Sequence, residues 1–334
     1  MGALRKVGAV GAAAGAVVVG RSVRRRRAWI ATHVALDLRS PVLYVVPPMG
    51  DRRTLPVIRA LTRAAGSMAG SVAGTRRTLA DGVAALVYEP ATPRGGGALL
   101  WIHGGGMVMG TPDQGDQWCA RVRDELGFVV VSVDYRLAPE HPFPAPLDDC
   151  MVALRWLHDN AAALGISPDR IAVGGDSAGG GLAAAVCQRA LDEGGPPIAF
   201  QLLVYPMLDD RTVLRTDLDP DFVYTWTPAS NRFGWTAYLG HEPSATTATP
   251  AHAVPARRED LRGLPPAWIG VGDLDLFLDE DLAYAHRLEA AGVPVDVHIA
   301  KGMWHGADAV LPKSNTGATF RQHMLDALAA APPG

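Results

Sequence analysis

Cysteine is scarce in this sequence of 334 residues: Cys119, Cys150 and Cys187 are all far apart. They form no CxxC pair and no zinc-ligand spacing, which argues against a disulfide framework and a structural metal and for a reduced compartment. The metalloprotease pattern HExxH is also missing. Neither sign of charge is in excess: 31 Lys and Arg against 34 Asp and Glu leave a net charge of -3, with no electrostatic footprint for nucleic acid. The apolar run Val7 to Gly20 consists of Gly, Ala and Val, too short and too small in volume for a comfortable membrane span. It has the length of a signal-peptide core, yet Arg21 and Arg24 to Arg27 follow it directly and fit no ordinary cleavage site. Arg5 and Lys6 precede it, and the first acidic residue is Asp37. The reading is a cytoplasmic protein with a basic, Gly/Ala-rich arm over residues 1–27. Contact of that arm with a membrane surface stays open, as does a homodimer. A start codon set too far upstream would leave the arm without meaning.

What is present suits a large globular domain, with 48% hydrophobic and 19% charged residues. Residues 28–80 carry mixed helical patterning broken by Pro41, Pro47, Pro48 and Pro56, and read as N-terminal cap helices. Strand-like and helix-like segments then alternate. Strands are predicted at residues 83–90, 98–102, 128–133, 171–173, 200–205, 267–271 and 293–299. Pro93 to Gly97 is the turn after the first of these. Helices are predicted from about Gln114 to Leu126, Leu147 to Leu164, after Ser177 through Leu191, Asp279 to Ala291, and last through Leu328. Such alternation predicts an α/β fold with a mostly parallel central sheet flanked by helices, its core at 81–208 and 265–334. The alternation lapses over 209–264, which holds Asp209, Asp210, Asp217, Asp219 and Asp221 with Trp226, Phe233, Trp235 and Tyr238. It reads as a helical cap whose aromatics partly line a pocket and partly hold the cap together.

Chemistry concentrates at three places. Gly175-Asp176-Ser177-Ala178-Gly179-Gly180 follows a strand and opens a helix, the setting of a nucleophile elbow. Side chains at Gly175 and Gly179 would collide with neighbouring backbone, and the tight turn lifts the Ser177 hydroxyl to a helix N-terminus. Alone this pattern arises by chance in roughly one glycine-rich chain in ten; with His103-Gly104-Gly105-Gly106 after another core strand the chance falls to about one in a thousand. The glycines let backbone N–H groups turn toward a developing oxyanion, so Gly105, Gly106 and Ala178 are the candidate donors and His103 is structural. His305 follows the last core strand beside a glycine and is the candidate base. His298 competes but alternates within the strand and is expected to face solvent, while His286 and His323 lie in helices. Asp279 is expected to cap its helix, with Glu280 and Asp281 in the first turn. Asp273 and Asp275 are both able to supply the acid, and local patterning hardly separates them.

These motifs, with Asp134-Tyr135-Arg136-Leu137-Ala138-Pro139-Glu140-His141-Pro142-Phe143-Pro144-Ala145 between them, resemble those of the bacterial hormone-sensitive-lipase-like esterases, a branch of the α/β-hydrolase fold. The resemblance spans roughly residues 75–330. Its Asp-x-x-x-Asp-Glu pattern falls on Asp275 to Glu280, which implies Asp275 as the acid and leaves Asp273 an unusual neighbour. The order Ser177, Asp275, His305 is that of α/β-hydrolases and differs from those of chymotrypsin and subtilisin. Met303-Trp304 and Ala307 depart from the usual residues and bear on pocket shape. The resemblance implies a serine esterase acting on small-molecule esters of short to medium acyl chains, with no metal and no cofactor. An amidase or deacetylase would share every catalytic residue, and a non-catalytic receptor of this fold would lack a working triad.

Overall fold

The computed structural model describes residues 24–44, 52–68, 73–91, 96–218 and 225–333. The basic arm up to residue 23, Pro47, Pro48, the turn residues 93–95, Asp219 and Asp221 lie outside the described residues. The first described elements are helix α1 (24–33) and helix α2 (Leu55–Met68), after which the chain enters the sheet through β1 (Thr75–Thr78), β2 (Ala84–Tyr88) and β3 (Ala98–Ile102). Next come α3 (Asp116–Leu126), β4 (Val129–Asp134), α4 (Ala145–Asp159), α5 (Ala161–Leu164) and β5 (Ile171–Asp176). Then follow α6 (Ala178–Glu193), β6 (Phe200–Val204) and α7 (Pro228–Leu239). The last elements are β7 (Ala267–Leu274), α8 (Leu278–Ala290), β8 (Val295–Trp304), α9 (Ala307–Val310) and α10 (Asn315–Ala329).

The eight strands form one sheet in the order β1-β2-β4-β3-β5-β6-β7-β8. From β4 to β8 every pairing is parallel, while β1, β2 and β4 pair antiparallel. Successive residues of a strand point to opposite faces, so a central strand buried on both sides must be apolar throughout. β3 does this: Leu100 and Ile102 join the core under α4, α6 and α8, while Leu99 and Trp101 join the core under α1, α3 and α10. β4 divides likewise, with Val131 on the first side and Val130 on the second. The strand order reverses around β3, and in such sheets a crevice opens beyond the carboxyl ends of the strands at the reversal.

Several elements differ from the sequence reading. Thr75-Arg76-Arg77-Thr78 lies in the stretch read as helical but forms an edge strand. It has no apolar alternation to betray it; its ladder to β2 and ion pairs from Arg76 to Asp134 (3.1 Å) and from Arg77 to Glu89 hold it. The predicted helix 147–164 breaks at Asn160 into α4 and α5. Within residues 209–264, α7 is the only helix longer than two turns among the described residues. Much of the remainder is irregular chain, held in part by the bidentate pair of Arg257 with buried Asp210 (2.7 and 2.9 Å). β8 runs to Trp304, so His305 leaves directly from a strand end. His298 does not simply face solvent: its ring stacks on Trp268 and lies 4.1 Å from that of His323. Asp279 is not the helix cap, a position held by Phe277, and instead binds Arg215 at 2.5 Å on the surface. Cys119, Cys150 and Cys187 are all buried and unpaired, and burial pushes their thiols well above the ordinary range.

Two constraints of this packing are open to test. A Cβ on Gly179 would lie 2.0 Å from the carbonyl oxygen of Ile102, a backbone atom that cannot turn aside. Gly179→Ala is expected to cost at least about 3 kcal/mol or to prevent soluble expression. A wild-type melting temperature in that variant would refute the constraint. Glu280, on the first turn of α8, is buried and accepts from the backbone N–H groups of Leu208 (2.7 Å) and Asp209 (3.1 Å) and bonds Thr212. Burial drives its carboxyl from 4.5 up to about 8. The folded protein therefore holds a proton that the unfolded chain releases. The associated stability is complete below pH 4.5 and is lost as pH rises through about 8. That window is worth on the order of 5 kcal/mol. Glu280→Gln keeps the same acceptor oxygen without the proton, so its melting temperature should fall less than that of the wild type between pH 5 and pH 8. Parallel pH profiles would overturn this account.

Candidate active site

Ser177 stands between the end of β5 and the start of α6 with φ 56° and ψ -120°, a backbone conformation that a residue with a side chain rarely adopts. Backbone hydrogen bonds hold it in this conformation. Ser177 N–H donates to the Val204 carbonyl (2.8 Å), and its carbonyl accepts from Gly181 N–H (3.0 Å) and Met207 N–H (2.9 Å). A Cβ on Gly175 would stand 2.4 Å from the Ile102 carbonyl oxygen, so only glycine lets the elbow sit against β3. The Ser177 side chain is thus fixed at the carboxyl edge of the sheet, at the crevice.

The His103-Gly104-Gly105-Gly106 turn leaves the end of β3 beside it. Gly105 (φ 115°) and Gly106 (φ 61°) take positive φ, and Cβ atoms there would meet the Met109 carbonyl at 2.2 Å and the Trp226 ring at 2.3 Å. The N–H groups of Gly105, Gly106 and Ala178 have no acceptor among the described residues. Asp176 ties the two loops together, its Oδ1 accepting from Gly104 N–H at 3.1 Å. Burial, followed by the nearby Asp308 carboxylate, raises Asp176 to about 6. His103 is buried, stacked on Tyr135 at 4.3 Å, with Nδ1 at 2.8 Å from the Gly104 carbonyl; burial lowers its pKa, which suits a neutral packing group.

His305 comes to the same place from the far side of the sheet. Its Nε2 lies 2.9 Å from Ser177 Oγ and its Nδ1 lies 2.7 Å from Asp275 Oδ2. With the ring proton on Nδ1, the imidazole donates to the carboxylate and accepts from the serine hydroxyl. The Asp275 side chain is fully buried, and its Oδ1 accepts from Phe277 N–H at 3.0 Å, which fixes the carboxylate plane. The two candidate acids separate clearly. Asp273 Oδ1 turns to the backbone of the neighbouring strand and accepts from Gly302 N–H at 2.6 Å. The β7–β8 register shifts there, with Gly272 opposite Ala300 but Leu274 opposite Trp304. A bulge of this kind bends a strand and re-aims the side chains beyond it.

Other contacts had no local signature in the sequence. Tyr205, with φ 35°, sets its ring 4.8 Å from the His305 ring, and Phe277 meets the imidazole edge-on at 5.2 Å. Thr225 Oγ1 donates to the His305 carbonyl at 2.9 Å, joining the segment before α7 to the residue that carries the imidazole. Such partners are recognisable only once β6, α8 and residues 209–264 converge. A cavity of about 410 Å³ opens from Ser177 and His305, walled chiefly by apolar side chains that include Val42, Trp118, Trp226, Val310 and Met324. Its size suits a small organic molecule. Of the aromatics in residues 209–264, Trp226 lines this cavity, whereas Trp235 and Tyr238 pack in the core and Phe233 packs beside α2. No helix among the described residues is long and apolar enough to cross a membrane.

Residues 99–309 match the family described as having the alpha/beta hydrolase fold. Esterase LipI of Mycobacterium tuberculosis is 41% identical over 259 residues, which is 75% of each chain. Carboxylesterase NlhH of the same species is 41% identical, covering 66% of this chain and 69% of its own. The solved structure of a bacterial heroin esterase superposes with a TM-score of 0.79 at 37% identity, over 89% of this chain and 97% of that one. These likenesses extend well beyond the loops that carry the motifs. The chain belongs to this α/β-hydrolase family and is a carboxylic ester hydrolase.

Proposed function

We propose that the protein hydrolyses small esters of short- to medium-chain acids through Ser177, His305 and Asp275, by way of an acyl-enzyme. The observation that carries this reading is the continuous hydrogen-bonded chain from Asp275 through His305 to Ser177 (2.7 and 2.9 Å) at the mouth of a largely apolar cavity. His305 Nε2 takes the Ser177 proton as Oγ forms a bond to the ester carbonyl carbon. Asp275 holds the imidazole in the required tautomer and stabilises the imidazolium. The carbonyl oxygen, now negative, is received by the N–H groups of Gly105, Gly106 and Ala178, which are preorganised and cost no reorganisation. Collapse of the tetrahedral adduct breaks the bond to the alkoxy oxygen, and His305 gives its proton to the departing alcohol. Water then enters, loses a proton to His305, and attacks the acyl carbon. The acid leaves as the proton returns to Ser177.

The short- to medium-chain range is supported by the cavity of about 410 Å³ and by the large indoles of Trp101, Trp118, Trp226 and Trp304 in its wall. Hydrolysis of para-nitrophenyl esters from acetate to palmitate tests both parts of the proposal. Rates should peak among acetate, butyrate, hexanoate and octanoate and fall for palmitate. Ser177→Ala should lose at least about a thousandfold in kcat and all labelling by a fluorophosphonate, and Asp275→Asn should lose on the order of a thousand- to ten-thousandfold. Full activity in Ser177→Ala would overturn the mechanism; a peak at palmitate would overturn the chain-length range alone.

A further inference from the structure

The catalytic cavity holds a second polar cluster for which the hydrolytic steps have no use. Asp308, on α9, is buried; its Oδ1 accepts from the Tyr205 hydroxyl at 3.0 Å and its Oδ2 from Arg321 Nε at 3.1 Å. Arg321, on α10, lines the cavity together with Met324, and its side chain is 16% exposed. Only Nε is engaged; neither terminal nitrogen of the guanidinium has a partner among the described residues.

Two tryptophans of the same lining keep their polar atoms out of reach. The indole N–H groups of Trp101 and Trp118 are buried and without a hydrogen-bond partner, and both rings line the cavity 5.9 Å apart. α3, which carries Trp118, and α10, which carries Arg321, are joined by a hydrogen bond from Arg121 to Gln322, and Trp118 and Arg321 both line the cavity. In a cavity that is otherwise mostly apolar, the two terminal nitrogens of Arg321 are donors without matching acceptors. A purely alkyl arm would strip water from the Arg321 terminal nitrogens and leave them unpaired, whereas an oxygen acceptor would pair them as it excludes water.

Charge decides which acceptor fits. Arg321 is already neutralised by Asp308, and Asp176 adds a further carboxyl group to the same lining. The wall therefore has no surplus positive charge to hold an anion. Resting on the esterase reading above, we infer that the preferred substrates are esters with an uncharged second oxygen, a ketone or similar carbonyl, in one arm. Arg321 is the residue that selects them.

Matched substrates test this in both arms. One set is para-nitrophenyl hexanoate, the same ester with a ketone at the penultimate acyl carbon, and the monoester of adipic acid. The other is butyl acetate against its analogue with a ketone in the butyl group. The wild-type full chain should favour the ketone in at least one pair by about tenfold or more in kcat/KM, and should not favour the carboxylate over the ketone. Arg321→Met should bring that ratio close to one, with Arg321→Lys between. A purely structural Arg321 would lower both members of a pair equally and leave the ratio intact, which would overturn its role. A wild-type ratio near one in both pairs, or a preference for the adipate monoester, overturns the inference even if the variants fail to fold. Absence of hydrolysis of every ester would instead overturn the esterase reading.

Discussion

The approach of the Ser177 elbow to the end of β3 governs the geometry of everything around it. Ile102 and Gly175 are register partners in adjacent parallel strands, and the first turn of α6 folds back onto the same strand end. Both Gly175 and Gly179 present bare backbone to the Ile102 carbonyl, at distances where any side chain would collide. This contact packs the end of β3, from which the glycine loop leaves, against the N-terminus of α6, as the proposed oxyanion site requires. The unfavourable φ of Ser177 persists because three backbone hydrogen bonds, to Val204, Gly181 and Met207, hold it.

The opposite half of the site is built by the β7–β8 edge. Four carboxyl groups near one another in sequence take four different tasks because the backbone turns between them. Asp273 binds the β8 bulge, Asp275 faces His305, Asp279 meets Arg215 on the surface, and Glu280 satisfies the backbone at Leu208 and Asp209. Segments remote in sequence then brace the loop that carries His305. Ala35 N–H donates to the Gly302 carbonyl (3.0 Å), Trp304 Nε1 to the Leu38 carbonyl (3.0 Å), and Thr225 to His305 itself. On the other side, Arg59 of α2 donates to the carbonyls of Val108 and Ala138 and pairs with Glu140, fixing the chain beyond the glycine turn. The N-terminal segment thus contributes to the rigidity of the site as well as to its wall. Holding reacting groups in one arrangement is itself a large part of how enzymes lower barriers.

The selectivity and the hydrolysis proposed above draw on different parts of this frame. The groups proposed for bond making and breaking lie in the loops after β3, β5, β7 and β8. The wall that meets the rest of a substrate comes from α3, α9, α10 and the segment before α7. Substitutions in that wall can alter what is bound while the loops after the strands stay as they are.

By itself the sequence determined the parts that depend on local rules. Apolar β-branched runs alternating with amphipathic segments specify a parallel sheet covered on both faces. Glycine at Gly175, Gly179, Gly105 and Gly106 marks backbone that only glycine can adopt or approach. Strand-end positions marked Ser177 and His305 as candidates, and the family pattern pointed to Asp275 where spacing could not. Tertiary structure alone decided the rest, since those features arise between segments far apart in the chain. The choice between Asp273 and Asp275 is expressed physically in a bulge that turns one carboxyl to backbone and the other to imidazole. The edge strand Thr75–Thr78 exists only because β2 offers it hydrogen-bonding groups. The Tyr205–Asp308–Arg321 cluster joins three elements, and no local pattern of residues announces a contact whose partners are brought together only by packing.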